Sequence, residues 1–95
     1  MAPDFAAFEA EARAAGFGEV LEKRWDPGQW LDTHTHAFGV RLRVVQGDMS
    51  LRCGGETTEL RAGDEFSLAA GLPHEERYGP EGATLWIARR HESAG

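Results

Sequence analysis

The sequence predicts an all-β sandwich or barrel preceded by one short helix. Apolar residues at helical spacing are confined to the N-terminal segment. From Glu19 onward, short runs rich in β-branched and aromatic residues are separated by glycine- and proline-based turn signals. Within the longest of those runs apolar and polar residues alternate, the period of a half-buried strand. At 95 residues the chain forms one small domain that buries only roughly 60 to 65% of its unfolded surface. A bound metal or a partner subunit would therefore add usefully to its stability.

The helix is expected within residues 1–18. From position 3 to 15 the segment is rich in Ala and Glu, and Phe5, Phe8, Ala12 and Ala15 fall on one side before Gly16 ends it. The Phe5 and Phe8 rings need a cover, either the outside of the barrel or a second subunit. Residues 19–91 form the β domain, with strands expected at 20–25, 29–31, 38–46, 49–53, 56–60, 65–68, 74–78 and 84–89. Turns are expected at Asp26-Pro27-Gly28, Gly47-Asp48, Gly54-Gly55, Ala62-Gly63-Asp64, Gly71-Leu72-Pro73 and Gly79-Pro80. Gly54-Gly55 suits a tight hairpin, because glycine enters positive φ at little steric cost. In the third strand Phe38, Val40, Leu42 and Val44 share the core face, and Arg41 and Arg43 take the wet one. Residues 92–95 read as a frayed tail.

Composition excludes several classes. Sixteen acidic side chains against ten basic ones give a net charge of −6 with no basic run, which disfavours nucleic acid as a partner. No apolar run approaches the roughly 18 residues of a membrane span. The single cysteine, Cys53, cannot form an intramolecular disulfide, and no apolar leader follows Met1; both point to a reducing, cytoplasmic setting. By its parity with Met49 and Leu51, Cys53 reads as a small core residue.

The residues best placed to carry chemistry are His34 and His36, with His74 some distance downstream. Two imidazoles spaced H-x-H on a strand face the same side, within reach of one ion, and a third from another strand could close the site. Here the sequence resembles the cupin superfamily. The first cupin motif, G-x5-H-x-H-x3-E-x6-G, falls on Gly28, His34, His36, Val40 in place of Glu, and Gly47. The second, G-x5-P-x-G-x2-H-x3-N, falls on Gly63, Ala69 in place of Pro, Gly71, His74, and Tyr78 in place of Asn. The match runs from about Trp25 to Arg90 and leaves the helix outside it.

The resemblance implies a small antiparallel jelly-roll (cupin) barrel, a divalent metal held by His34, His36 and His74, and a homodimer as the common assembly. Val40 cannot supply the anionic fourth ligand that many cupins use, so three neutral imidazoles would leave positions open to water or substrate. Cupin thiol dioxygenases and some diketone-cleaving dioxygenases are similar in their three-histidine ligand set, an analogy that transfers no substrate. Iron, zinc, nickel, manganese and copper all accept imidazole, and affinity alone does not choose among them.

Other positions are read against this centre. Asp32 and Glu76 share strand parity with the histidines and are the alternatives for the missing carboxylate, although each reads first as a rim charge. Trp30, Phe38, Val40 and Tyr78 are the expected pocket residues, with Tyr78 equally suited to packing. Arg41 is expected to point outward beside Arg43, and His91, in a charged tail, is expected to be a solvated surface histidine. The expected function is a metal-binding cupin acting on a small organic molecule, as a dioxygenase-like or Lewis-acid enzyme. The alternatives are a non-enzymatic barrel that binds or senses a small molecule and an empty barrel serving in dimerisation.

Overall fold

A computed structural model describes residues 4–91. One helix, α1 (Phe5–Ala14), is followed by β1 (Glu19–Trp25), β2 (Trp30–His34), β3 (Phe38–Cys53), β4 (Glu56–Arg61), β5 (Glu65–Leu68) and β6 (His74–His91). Every strand pairing is antiparallel, in agreement with the all-β fold class. Position 3 and the tail expected at 92–95 lie outside the described residues. No helix among the described residues is long and apolar enough to cross a membrane.

The two longest strands organise the rest. Along its whole length β3 pairs with β6; the first part of β3 also pairs with β5 and its second part with β4. On the far side of β6, β1 pairs with residues 83–89 and β2 with residues 74–77. The result is two four-stranded halves joined by strands that run through both. Side chains from the two halves meet in one core: Val40, Leu42, Val44, Met49, Leu51, Leu60, Leu68, Leu85 and Ile87 are all buried in a single cluster.

Eight expected strands are therefore six. The turns expected at Gly47-Asp48 and Gly79-Pro80 are bends inside β3 and β6, where the register slips between Val44 and Gln46 and again between Gly47 and Met49. A bulge inserts a residue without ending the ladder and sharpens the bend. Gly47 and Gly82 sit at this crossing with φ of 77° and 73°. A Cβ on Gly47 would strike the Gly82 carbonyl, and one on Gly82 would strike the carbonyl of Trp25. Only glycine permits both the dihedral and the approach of the backbones.

The helix answers the question posed by its phenylalanines. The Asp4 carboxylate accepts the Ala7 N–H at 2.8 Å as N-cap. At the other end, the Phe17 N–H returns to the Ala12 carbonyl and the Gly16 N–H to that of Arg13, both at 3.0 Å, in a Schellman closure around Gly16 at φ 95°. Phe8 and Ala12 are buried against Trp86 and Ala88 on the outer face of β6. The Trp86 ring lies 5.7 Å from that of Phe5 and 5.8 Å from that of Phe8. The barrel wall covers the pair; Ala15 is exposed and stands just beyond the helix.

Candidate metal centre

Three elements bring the histidines together. His34 ends β2 and stands opposite His74, the first residue of β6, while His36 follows in the short link to β3. Their ring nitrogens include one donor from each residue within 4.8 Å of the others. Small side-chain rotations would bring them to the roughly 3.3 Å separation that follows from metal–nitrogen bonds of about 2.0–2.1 Å in a tetrahedral site. His74 is buried at 4% exposure, and His34 and His36 are half-buried at the mouth.

Two of the rings are held in orientation by backbone. Nδ1 of His34 donates to the Asp32 carbonyl at 2.7 Å, and Nδ1 of His74 to the Leu72 carbonyl at 3.0 Å. Each bond fixes the tautomer with the proton on Nδ1 and leaves Nε2 for a metal. His36 stacks on Phe38 with ring centres 4.8 Å apart and planes at 19°. Burial, reinforced by the neighbouring imidazoles of His34 and His74, lowers the His36 pKa below its usual value, which favours the neutral form that coordinates.

The two candidate carboxylates separate. Glu76 is buried at 8% exposure, not at the rim. Its Oε2 lies 3.2 Å from His34 Nε2 and 3.7 Å from His74 Nε2, and its Oε1 accepts the Tyr78 hydroxyl at 2.6 Å. Asp32 is exposed, and its carboxylate accepts the neighbouring Thr33 N–H at 2.7 Å. A bulge in β2 between Leu31 and His34 accounts for this outcome. It breaks the alternation, so parity counted back from His34 no longer indicates the inner face.

The same bulge corrects Trp30. Its side chain is 52% exposed, lies under the Arg77 guanidinium and is not part of the cavity wall, where Leu31 stands instead. Tyr78 is also not in the wall. It is buried, stacks on Trp25 at 4.9 Å with planes at 16°, and acts by holding Glu76. Burial and the adjacent Glu76 carboxylate raise the Tyr78 pKa far beyond any working pH, so its proton stays on this bond. Phe38 and Val40 do line the cavity, beside the three histidines. Arg41 points outward over the Phe17 ring and Arg43 pairs with Glu65, as their parity predicts. His91 is exposed, contacts Glu19 at 2.9 Å and packs on the Phe38 ring at 5.0 Å, and it is not among the three clustered histidines.

The cavity measures about 110 Å³. Its inner surface is apolar, from Leu31, Val40, Leu42, Leu68, Leu85 and Ile87, but Lys23 and Arg89 also line it. Neither cation was singled out from the sequence. The available signal was their parity, since Lys23 lies between Leu21 and Trp25, and Arg89 follows Leu85 and Ile87, on the inward face of their strands.

No family model matches the sequence, and no curated protein matches it. Solved structures do. A Rhizobium leguminosarum protein of unknown function superposes with a TM-score of 0.72 at 27% identity, over 77% of this chain and 69% of that one. A Klebsiella pneumoniae protein with a double-stranded β-helix domain gives 0.66 at 28% identity, over 80% and 69%. An RmlC-like cupin from Shewanella frigidimarina gives 0.69 at 23% identity, over 79% and 67%.

Proposed function

We propose that this chain, whose fold is that of cupin and double-stranded β-helix structures, is a small cupin-superfamily protein that binds one divalent metal ion through His34, His36 and His74 and acts there on a small organic molecule. The observation that carries this reading is the aim of the donor atoms. Two imidazoles tied through Nδ1 to backbone carbonyls turn their Nε2 atoms toward the Glu76 carboxylate, and a third imidazole stands beside them. Buried polar groups need partners, and a cation among these donors would satisfy all of them.

The set fits iron, zinc, nickel, manganese or copper. Glu76, from the second motif, stands where it could supply the anionic donor that Val40 cannot. A bound ion of this kind supplies Lewis acidity or, if redox-active, oxygen chemistry. The chain's own contribution is positioning. The carbonyls of Asp32 and Leu72 orient two ligands, Tyr78 orients Glu76, and the apolar wall keeps water from the substrate's far side.

Metal analysis of the purified protein tests this. We expect about one equivalent of a divalent metal, lost in His36→Ala and in His74→Ala. Substoichiometric metal after supplementation with each candidate ion would overturn the assignment. Oxygen consumption by the iron-loaded protein, followed across a panel of small organic substrates, then separates an enzyme from a barrel that only binds its ligand. Expected assembly as a homodimer is checked by light scattering on the same sample.

A further inference from the structure

We infer that the small molecule is a carboxylic acid, its carboxylate held by Arg89 and drawn in by Lys23 while its second polar group reaches the histidine centre. This rests on the metal reading only for that second contact.

Arg89 belongs to the inward face of β6, in line with Leu85 and Ile87, and lines the cavity that holds the three histidines. Its guanidinium lies 5.1 Å from the Phe38 ring centre, and Phe38 in turn stacks on His36. One aromatic ring thus separates the guanidinium from a metal-ligand imidazole. Arg89 is incompletely partnered. Among the described residues its Nε is buried without a hydrogen bond, and its one carboxylate contact is a 3.6 Å approach of Nη1 to Glu19 Oε1, an oxygen held more closely by His91 at 2.9 Å. A guanidinium presents a fork of donors matched to a carboxylate, and this one has that capacity unused.

Lys23, the chain's single lysine, lines the same cavity with its Nζ 4.4 Å from the Trp25 ring centre, and it makes no ion pair among the described residues. Against these two cations the cavity wall holds one carboxylate among the described residues, Glu76, which already accepts the Tyr78 hydroxyl and faces the histidine nitrogens. The buried Nε of Arg89 stands without a partner beside a mainly apolar wall, where an anion would complete it; Lys23, exposed to solvent, adds positive charge beside it, and a divalent ion would add to the excess. The protein as a whole is acidic, so this local reversal of sign selects for a small anion. Volume sets the size, because about 110 Å³ corresponds to the space of roughly four water molecules.

Glycolate and lactate, with the neutral amides glycolamide and lactamide, are the probes, titrated by calorimetry into metal-free and zinc-loaded protein. The acids should bind roughly tenfold or more tightly than the amides in both forms, the usual scale for a charged hydrogen bond. Arg89→Gln should abolish the preference, Lys23→Gln should reduce it, and Arg41→Gln on the outer face should leave it intact. Equal affinity for acid and amide would overturn the inference, and so would undiminished acid binding by a folded Arg89→Gln. Should Arg89→Gln not fold, Arg89→Lys and Lys23→Gln decide, and unchanged acid affinity in both overturns it. Protein that fails to hold zinc yet prefers the acids keeps this inference and loses the metal reading. Protein that holds zinc without preferring them does the reverse.

Discussion

In the last part of β6, residues 83–88 are buried on both faces, whereas near its start only His74, Glu76 and Tyr78 are, with exposed or half-buried residues between them. The later part is nearly all apolar, with Leu85 and Ile87 in the barrel core and Trp86 and Ala88 under the helix. The early part buries two ionisable side chains and a phenol, each with a specific polar neighbour. Apolar burial stabilises in proportion to area, while buried polar groups at best roughly offset their own desolvation. One strand thus anchors the fold at one end and holds donor atoms in place at the other. Stability and ligand binding should respond separately to substitutions at the two ends.

Trp86→Ala should produce the largest effect. Removing a buried indole and the contacts it makes with Phe5 and Phe8 is expected to cost about 3–5 kcal/mol in urea unfolding, with metal stoichiometry unchanged in the folded fraction. Loss of metal along with stability would show that the two ends are coupled. His36→Ala should act in the opposite way. At metal concentrations about a hundredfold above Kd, the wild type gains roughly 2.7 kcal/mol from binding, and the variant should lose that increment. His91→Ala should keep it, and equal losses from the two would break the distinction between the inner and outer histidines. Tyr78→Phe comes next. It leaves the stack on Trp25 but removes a donor from a buried carboxylate, at about 1–3 kcal/mol. Its mark is a weaker metal affinity than wild type, which a purely structural tyrosine would not show.

How much of this was legible in the sequence differs between the same two regions. The apolar end could be read directly, because the alternation from Phe38 to Val44 and the heavy residues around Trp86 state which face is core. The histidine cluster was legible as well, through its spacing within two motifs. What strand parity could not reveal was the bulge between Leu31 and His34, which sends Trp30 and Asp32 to solvent. Glu76 is open to the same parity argument but reads first as a rim charge, because a carboxylate is seldom buried without partners and its partners, Tyr78 and the histidine nitrogens, are brought to it only by the fold. Gly47 reads as a turn for a related reason. A positive φ is the same requirement in a hairpin and in a bulge, and only the pairing partner distinguishes the two.

The smallest predicted effect, a dependence on pH, sharpens the comparison at a single ring. Burial and two neighbouring imidazoles lower the His36 pKa in the folded state below its ordinary value of 6.5. In the unfolded chain the ring takes up its proton as pH falls through about 6.5, while in the folded protein it still resists protonation. The unfolded state then binds more protons, so the stability contribution present above that pH is lost as acid is added. Metal binding requires the same neutral ring and weakens in the same direction. Thermal melts of metal-free protein between about pH 8 and pH 5 should therefore show Tm falling toward acid, with a shallower slope in His36→Gln. Trp86→Ala, which removes the indole at the apolar end together with its hydrogen bond to Glu22, should lower Tm at every pH, and His36→Gln should flatten the slope in that background as well. A slope unchanged by His36→Gln would mean that the acid sensitivity belongs to another group of the centre.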